Sequence, residues 1–295
     1  MKGFMKGCAI TALIFFLLGI GLVTTAFMLG DKDKMAASVW EVTDGRVEFV
    51  LNSWQDFGIH FYGFDILAPN ASDMFDSDYE IWDEDVEKTQ ISKNPIDEMD
   101  IRVNCSSLVI KESADEFFYI EKNGGGKLQA YEEKGILHIR ALLNTQLFGY
   151  QQEEEVILYV PSNANLKVVT VELGAGEMVW NELQADVVSV ELGAGEFVAK
   201  NTVVGDLKVD LGAGECLIQG KLQGNVKVDC AAGEVTLIHS GAEEEFDYDI
   251  DCSVGSVQVG KEKYSGLATA KKVDNDASKT MEISVAAGSV EVEFE

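Results

Sequence analysis

Carboxylates at a fixed spacing are the first candidates for chemistry in this sequence. Two sets recur every 19 residues: Glu172, Glu191, Asp210 and Asp229 form the first, and Glu177, Glu196, Glu215 and Glu234 form the second. If equivalent residues stack at the interstrand distance of about 4.8 Å, each set becomes a ladder of like charges. Because hard cations prefer oxygen ligands, weak Ca²⁺ binding along the ladders is one prediction. A solvated acidic face that prevents edge-to-edge pairing is the alternative.

The residues that catalysis would need are sparse. The histidines are His60, His138 and His239, and their contexts provide neither a zinc-ligand set nor a nucleophile beside its base. The repeated carboxylates share equivalent surroundings, so nothing assigns one as acid and another as base. We therefore expect no enzymatic activity, no catalytic residue and no cofactor beyond a weakly bound Ca²⁺.

The cysteines permit two interpretations. Cys230 and Cys252 share one inward column on adjacent coils, so they could lie close enough for a disulfide. Buried, reduced thiols are the alternative. Cys105 and Cys216 have no evident mate.

The carboxylates belong to a longer repeat. Leu-Gly-Ala-Gly-Glu occurs at 173–177, 192–196 and 211–215, and looser copies follow at 230–234, 252–256 and 285–289. The fourth position is always glycine: Gly176, Gly195, Gly214, Gly233, Gly255 and Gly288. An unbroken glycine column indicates a conformation, or a close approach, that a Cβ would prevent. Alternating apolar positions on both sides of this corner predict stacked β coils with the apolar side chains inward.

An uncharged segment near the N-terminus predicts a membrane span. Gly7 to Gly30 contains no charged residue, and about 20 apolar residues suffice to cross a bilayer. Lys2 and Lys6 precede it and an acidic bulk follows, so the N-terminus is expected in the cytoplasm and residues 31–295 outside the cell membrane. A signal peptide cleaved near Thr24 and Ala26 is the alternative.

Composition limits the partners and the organisation. With 51 acidic and 23 basic residues the formal charge is −28, which excludes a phosphate backbone as a partner. The dense acidic run 76–87 lacks the spacing of an EF-hand and is interpreted as a spacer. The sequence thus predicts an all-β fold, a β-solenoid with a period of about 19 residues behind one N-terminal transmembrane helix. Its expected parts are an anchor at 1–30, an acidic stalk or linker at 31–96 and the repeat domain at 97–295.

These corners, the segment 156–161 and the single N-terminal anchor resemble the bacterial putative-adhesin family of β-strand-repeat domains of unknown function. The resemblance covers roughly residues 97–295 and implies a cell-envelope protein; some similar proteins take part in sensing envelope stress. The family has no established catalytic residues, so none is carried over. The first glycine of the motif is lost at Ala231, Ser253 and Ala286, which indicates looser corners there.

The expected function is binding. The chain is interpreted as a membrane-anchored, adhesin-like surface module that recognises a protein or envelope ligand. A non-enzymatic module that senses envelope stress through a membrane partner is the alternative. Aromatic residues of the stalk, such as Trp54 and Phe61, are candidates for a ligand patch if they are exposed.

Overall fold

The computed structural model describes residues 47–53, 56–61, 64–65, 74–92, 94–104, 106–142 and 155–295. Within these ranges, no helix combines the length and the apolar character that a membrane crossing requires. The predicted anchor at 1–30, Trp54 and Cys105 lie outside the described residues, and Phe61 is described in its backbone alone.

The chain divides into two compact units, Met1–Gly63 and Phe64–Glu295. The described part of the first unit is an antiparallel pair of strands, β1 (Val47–Ser53) and β2 (Asp56–Phe61). The second unit begins with the short strand β3 (Phe64–Asp65) and contains all the later elements.

Eighteen strands of the second unit belong to one hydrogen-bonded system. They are β4 (Val86–Gln90), β5 (Glu98–Asn104), β6 (Ser107–Ser113), β7 (Tyr119–Asn123), β8 (Lys127–Glu133), β9 (Ile136–Leu142), β10 (Glu155–Pro161), β11 (Leu166–Leu173), β12 (Glu177–Asn181), β13 (Gln184–Leu192), β14 (Glu196–Leu211), β15 (Glu215–Leu222), β16 (Val226–Cys230), β17 (Glu234–His239), β18 (Phe246–Val259), β19 (Glu262–Val273), β20 (Lys279–Val285) and β21 (Ser289–Phe294). A single 3₁₀ turn, Glu243–Glu245, precedes β18 in the described chain. The predicted all-β class is confirmed.

Each 19-residue repeat forms one coil, in which a strand, the glycine corner and a second strand follow one another. The strands before the corner pair in parallel with no register shift, so that Val171 lies beside Val190 and Val190 beside Val209. The strands after the corner pair in the same way, as Met178 does with Phe197. The long strand β14 supplies both positions, with a bend at Asn201, where φ is +55°.

The core lies between the two strands of each coil. The inward positions predicted from the alternation are all buried, none more than 3% exposed: Val171, Val190, Val209, Val228, Ile250 and Ile283; Leu173, Leu192, Leu211, Cys230, Cys252 and Val285; Met178, Phe197, Cys216, Val235, Val257 and Val290; Trp180, Ala199, Ile218, Leu237, Val259 and Val292. Full burial of an aliphatic side chain stabilises the fold by about 1.5–3 kcal/mol. These columns therefore provide much of the driving force that stacks the coils.

The C-terminal coils do not stack in sequence order. Val228 of β16 pairs with Ile283 of β20, and Ile283 pairs with Ile250 of β18, so β20 and β21 lie between the coil of β16 and β17 and the strand β18. The cause is β19, which runs antiparallel along almost all of β18 and closes that end of the stack.

This order corrects the prediction that Cys230 and Cys252 lie on adjacent coils. Val285 is the neighbour of each, so it separates them in the stack, and both thiols are free. A disulfide between them is therefore wrong for this fold.

The N-terminal end of the stack is also rearranged. β5 and β6 pair with β11 and β12, as expected for a first coil near Asp97, but β9 and β10 stack on their other side. The antiparallel strands β7 and β8 close this end.

Part of the segment assigned to the linker folds onto that closing layer. Strand β4 pairs with β7, and the ring of Tyr79 stacks on that of Tyr131 with their centroids 3.7 Å apart. The Gln129 side chain bonds to the backbone of Asp76 and Tyr79. Residues 74–92 thus cover the closing strands.

Candidate functional site

The coils present two outward surfaces. Face A comprises the outward side chains of the strands before the glycine corners, in β11, β13, the second part of β14, and β16. Face B comprises those of the strands after the corners, in β12, the first part of β14, β15 and β17. On each face, equivalent residues of successive coils lie side by side in rows that cross the strands.

Three of the four carboxylates in the acidic row of face A lie beside a cation. Glu172, Glu191, Asp210 and Asp229 stand in register, as the repeat predicts. Lys208 Nζ lies 2.5 Å from an Asp210 oxygen, and Lys227 Nζ lies 3.4 Å from one of Asp229. Beyond Asp229 the row continues to Ser284 and only then to Asp251, because β20 lies between.

The end of this row at Glu172 is partly buried. Burial raises the pKa of the Glu172 carboxyl; Arg102, whose Nε lies 3.3 Å from Oε2, opposes this shift, and the charge of Glu191 adds to it. Each site along face A therefore has a different electrostatic environment, although the sequence positions are equivalent.

The acidic row of face B has no such compensation. Glu177, Glu196, Glu215 and Glu234 are exposed and in register. No lysine or arginine of the described chain forms an ion pair with any of the four. Burial and the charges of Glu177 and Glu215 raise the pKa of Glu196, while burial together with Glu215 and Glu291 raises that of Glu234. The glutamate row of face B thus has no ion-pair partner within the described chain; the exposed Lys111 and Lys200 lie on the same face, two residues beyond Val109 and Val198.

An aliphatic row lies beside these glutamates. Val179, Val198 and Leu217 pair in register, and the row extends to Val109; all four are partly exposed, whereas the next residue of the row, Ile157, is buried. Sequence reasoning missed this row because it treated the strand after each corner as alternating. The signal was present in the uninterrupted apolar triplet of residues 178–180, where one of three consecutive apolar side chains must face outward.

In the structure, each acidic ladder is a single row of carboxylates. The described residues contain no group of three or more His, Cys, Asp or Glu side chains placed to hold a metal ion. Ca²⁺ binding along the ladders stays a prediction.

The six corner glycines line up for a steric reason. A Cβ at Gly195 would strike the carbonyl oxygen of Gly176, and one at Gly214 would strike that of Gly195. The corners are also joined by backbone hydrogen bonds, such as Ala194 N–H to Gly174 O at 2.7 Å. Close approach of successive corners, rather than a positive φ, requires glycine at these positions. At the C-terminal end these contacts follow the stack order, from Gly233 to Gly288 to Gly255.

A partly buried charged cluster near the N-terminal end was not foreseen. Asp100 accepts from the Arg140 guanidinium, and its Oδ2 lies 3.1 Å from His138 Nδ1. Burial alone would raise the pKa of Asp100, but the hydrogen bond and the charge of Arg140 keep this pKa below its usual value. The sequence could not reveal this cluster because it depends on the parallel pairing of β5 with β9.

A second cluster surrounds His239, which is fully buried. Its Nδ1 accepts from the Leu222 N–H at 3.1 Å, and its Nε2 lies 3.6 Å from Glu245 Oε2. Lys279 Nζ lies 2.7 Å from the same carboxylate oxygen and 4.2 Å from the centre of the Phe246 ring. Burial, followed by the Lys279 charge, lowers the pKa of His239.

Comparison with known proteins identifies the central coils. Residues 96–221 match the family model described as Toastrack DUF4097. This segment is similar to Toastrack domains. The match confirms the family resemblance indicated by the repeated corners, and the matched segment extends from β5 into β15.

Three solved structures are similar to this chain at low sequence identity. One is described as a "putative cell adhesion protein" from Clostridium sporogenes ATCC 15579; it is 13% identical, has a TM-score of 0.43, and the match covers 71% of this chain and 98% of that one. Another is a "putative adhesin" from Bacteroides fragilis NCTC 9343, with 10% identity, a TM-score of 0.42, and coverage of 70% and 95%. A third is a "putative lipid binding protein" from Parabacteroides distasonis ATCC 8503, with 13% identity, a TM-score of 0.37, and coverage of 70% and 96%. No curated protein matches the sequence.

Proposed function

We propose that this chain is a membrane-anchored, extracytoplasmic binding module, adhesin-like in action and without catalytic activity. The observation that carries the proposal is the alignment of identical outward side chains across successive coils, as in the row Glu177, Glu196, Glu215 and Glu234. Such rows suit the recognition of an extended or repetitive ligand.

The stack supports these rows rigidly. Each outward residue alternates with one of the inward columns, and the strands on both faces are paired in parallel on either side. Because the backbone of each strand is held by both neighbours, the spacing of the outward groups is set before a ligand arrives, which reduces the ordering cost of binding.

Anchoring rests on the sequence. The uncharged segment from Gly7 to Gly30, preceded by Lys2 and Lys6, supports a single span with residues 31–295 outside the cytoplasm. The intact mass of the protein recovered from washed membranes tests this point, since cleavage near Thr24 and Ala26 would remove the span and release the rest.

The proposed absence of catalysis rests on how the titratable groups are used. The carboxylate of Asp100 accepts a hydrogen bond from Arg140 and also lies within hydrogen-bond distance of His138. His239 is enclosed, with its Nδ1 committed to a backbone N–H. Both clusters are interpreted as structural.

In-cell photo-crosslinking tests the proposed function. A photoreactive residue is placed at Thr170 or Ser189 on face A and at Val198 on face B, with Lys261 in the exposed turn before β19 as the control position. Capture of one envelope component from a face, and not from the control, supports binding. A single membrane protein as that component would favour the stress-sensing alternative, and a capture pattern identical to that of Lys261 would contradict a specific binding face.

A further inference from the structure

We propose that face B binds a cationic amphipathic α-helix. The helix lies across the strands, with its apolar side chains on the aliphatic row and its lysines or arginines directed at the glutamate row. This inference rests on the proposed binding function and names the class of partner that one face takes.

The aliphatic row is unusual for the outward side of a sheet. Outward positions of a sheet with one solvated face are normally polar. Here Val109, Val179, Val198 and Leu217 are partly exposed on four consecutive strands of the stack, and Thr236 follows them. Three interstrand steps of about 4.8 Å give an apolar strip about 14 Å long.

The glutamate row fixes the charge of the partner. Each glutamate stands two residues before its aliphatic neighbour on the same strand, which places the two rows about 6.7 Å apart. The contrast with face A is informative, because there Lys208 and Lys227 lie against the carboxylates, whereas the glutamates of face B lack a cation among the described residues. Charge complementarity therefore calls for a cationic partner.

Backbone hydrogen bonding favours a helix over an extended peptide. The strands β12, β14 and β15 are paired on both sides, so the middle of face B has no free backbone groups to offer. An extended peptide lying there would leave its own N–H and C=O groups without partners from the sheet, but a helix bonds its own.

The spacing agrees with this choice. One helical turn advances 5.4 Å, close to the interstrand step of about 4.8 Å, whereas same-side residues of an extended strand recur at about 6.7 Å. At 1.5 Å per residue, the apolar strip accommodates about 10 residues of helix. Cations on one flank of such a helix would face successive glutamates.

Fluorescence anisotropy with the full-length protein tests the inference. The probe is a labelled 14-residue peptide of leucine and lysine, with leucine on one helical face and lysine on one flank. We expect binding, with increased peptide helicity in circular dichroism, and a loss of affinity of at least tenfold in Val198→Thr/Leu217→Thr and in Glu196→Gln/Glu215→Gln. The second variant should also show a weaker dependence of affinity on salt.

Matched variants on face A provide the controls. Val187→Thr and Glu191→Gln make the same chemical changes at outward positions of β13 and should leave the affinity unchanged. No binding of the lysine peptide, equal binding of its glutamine counterpart, or equal losses in the face A variants would overturn the inference. Crosslinks from Thr170 or Ser189 would then still support the broader binding function, so the two failures are distinguishable.

Discussion

At the scale of single residues, equivalent carboxylates acquire different properties from their neighbours. Asp210 has Lys208 two residues earlier on the same side of its strand, and the two form an ion pair, whereas Glu215 on the opposite face has no cation. An exposed pair of this kind contributes about 0–1 kcal/mol. Its larger effect is on the charge of the row, because three carboxylates of the face A row lie beside a cation and none of the face B row does within the described chain.

His239 should make stability depend on pH between about 5 and 7. The unfolded chain takes up a proton near the usual histidine pKa of 6.5, but burial and Lys279 keep the pKa of the folded group lower. The unfolded state therefore binds more protons in this window, and the free energy of unfolding should fall as the pH decreases through 6.5. Urea unfolding of the wild type and His239→Asn from pH 5 to 8 measures this.

The comparison isolates His239 from the carboxylates. The raised pKa values of Glu172, Glu196 and Glu234 act in the opposite direction, because protonation relieves their burial and repulsion, but they are common to both proteins. Asparagine keeps an acceptor for the Leu222 N–H and does not titrate. Identical pH slopes for the two proteins would refute the prediction.

Cys230 and Cys252 should both be free and, in the folded protein, slow to react. Burial raises the pKa of Cys230 to about 11, so little thiolate exists at pH 8. Alkylation followed by peptide mass spectrometry, without reductant, should show slow modification of both in the native protein and complete modification after denaturation. A linked pair of peptides containing the two residues would contradict the stack order.

At the scale of the element, the glycine corner controls how closely the coils approach. Successive corners lie so near that the space of a Cβ is taken by the carbonyl oxygen of the preceding corner. The weakened motif at Ala231 and Ala286 keeps this contact because the fourth glycine is retained at Gly233 and Gly288. The first glycine is thus replaced in three of the corners, whereas the fourth is retained in all six.

Gly214→Ala should destabilise the central coils. The added Cβ would overlap the Gly195 carbonyl oxygen, and overpacking of this kind costs typically about 1–3 kcal/mol. Because the obstacle is backbone, which cannot move aside as a flexible side chain would, we expect the upper end of that range in chemical denaturation. Ala213→Ser, an exposed change in the same corner, is the control and should shift stability by less than about 0.5 kcal/mol. Equal stability of Gly214→Ala and the control would show that the corners can separate.

At the scale of the whole molecule, the repeat domain is closed at both ends by antiparallel strands. β7 and β8 close one end and β19 the other, and at each end the next coil inward is out of sequence order. A stack of parallel strands exposes unpaired edges, which favour aggregation. Strand β19 is exposed and carries Lys263, Lys271 and Lys272, whose charges disfavour pairing of the C-terminal edge with another chain.

The stack order predicts the pattern of amide hydrogen exchange. β20 and β21 are last in sequence but paired on both sides, so they should be protected to the same degree as β13 and β14. β19 pairs on one side only within the described chain and should exchange first. Exchange measured by mass spectrometry on the full-length protein provides the test, and rapid exchange of β20 and β21 together with β19 would place them at the end of the stack instead.

The sequence by itself determined the coil. The 19-residue period, the glycine at the fourth position of every corner and the alternating apolar residues established the all-β class and the inward columns. These features depend on local geometry, which is the same in each repeat. Tertiary structure alone decided the order of the coils, since identical pairing rules permit β18 or β20 beside β16 and only the antiparallel return of β19 selects one. The lysines that pair with carboxylates on face A lie two residues away on the same strand, so that contrast between the faces is local in sequence. The contacts of Asp100 with His138 and Arg140 were decided by the tertiary structure, because they join strands distant in sequence.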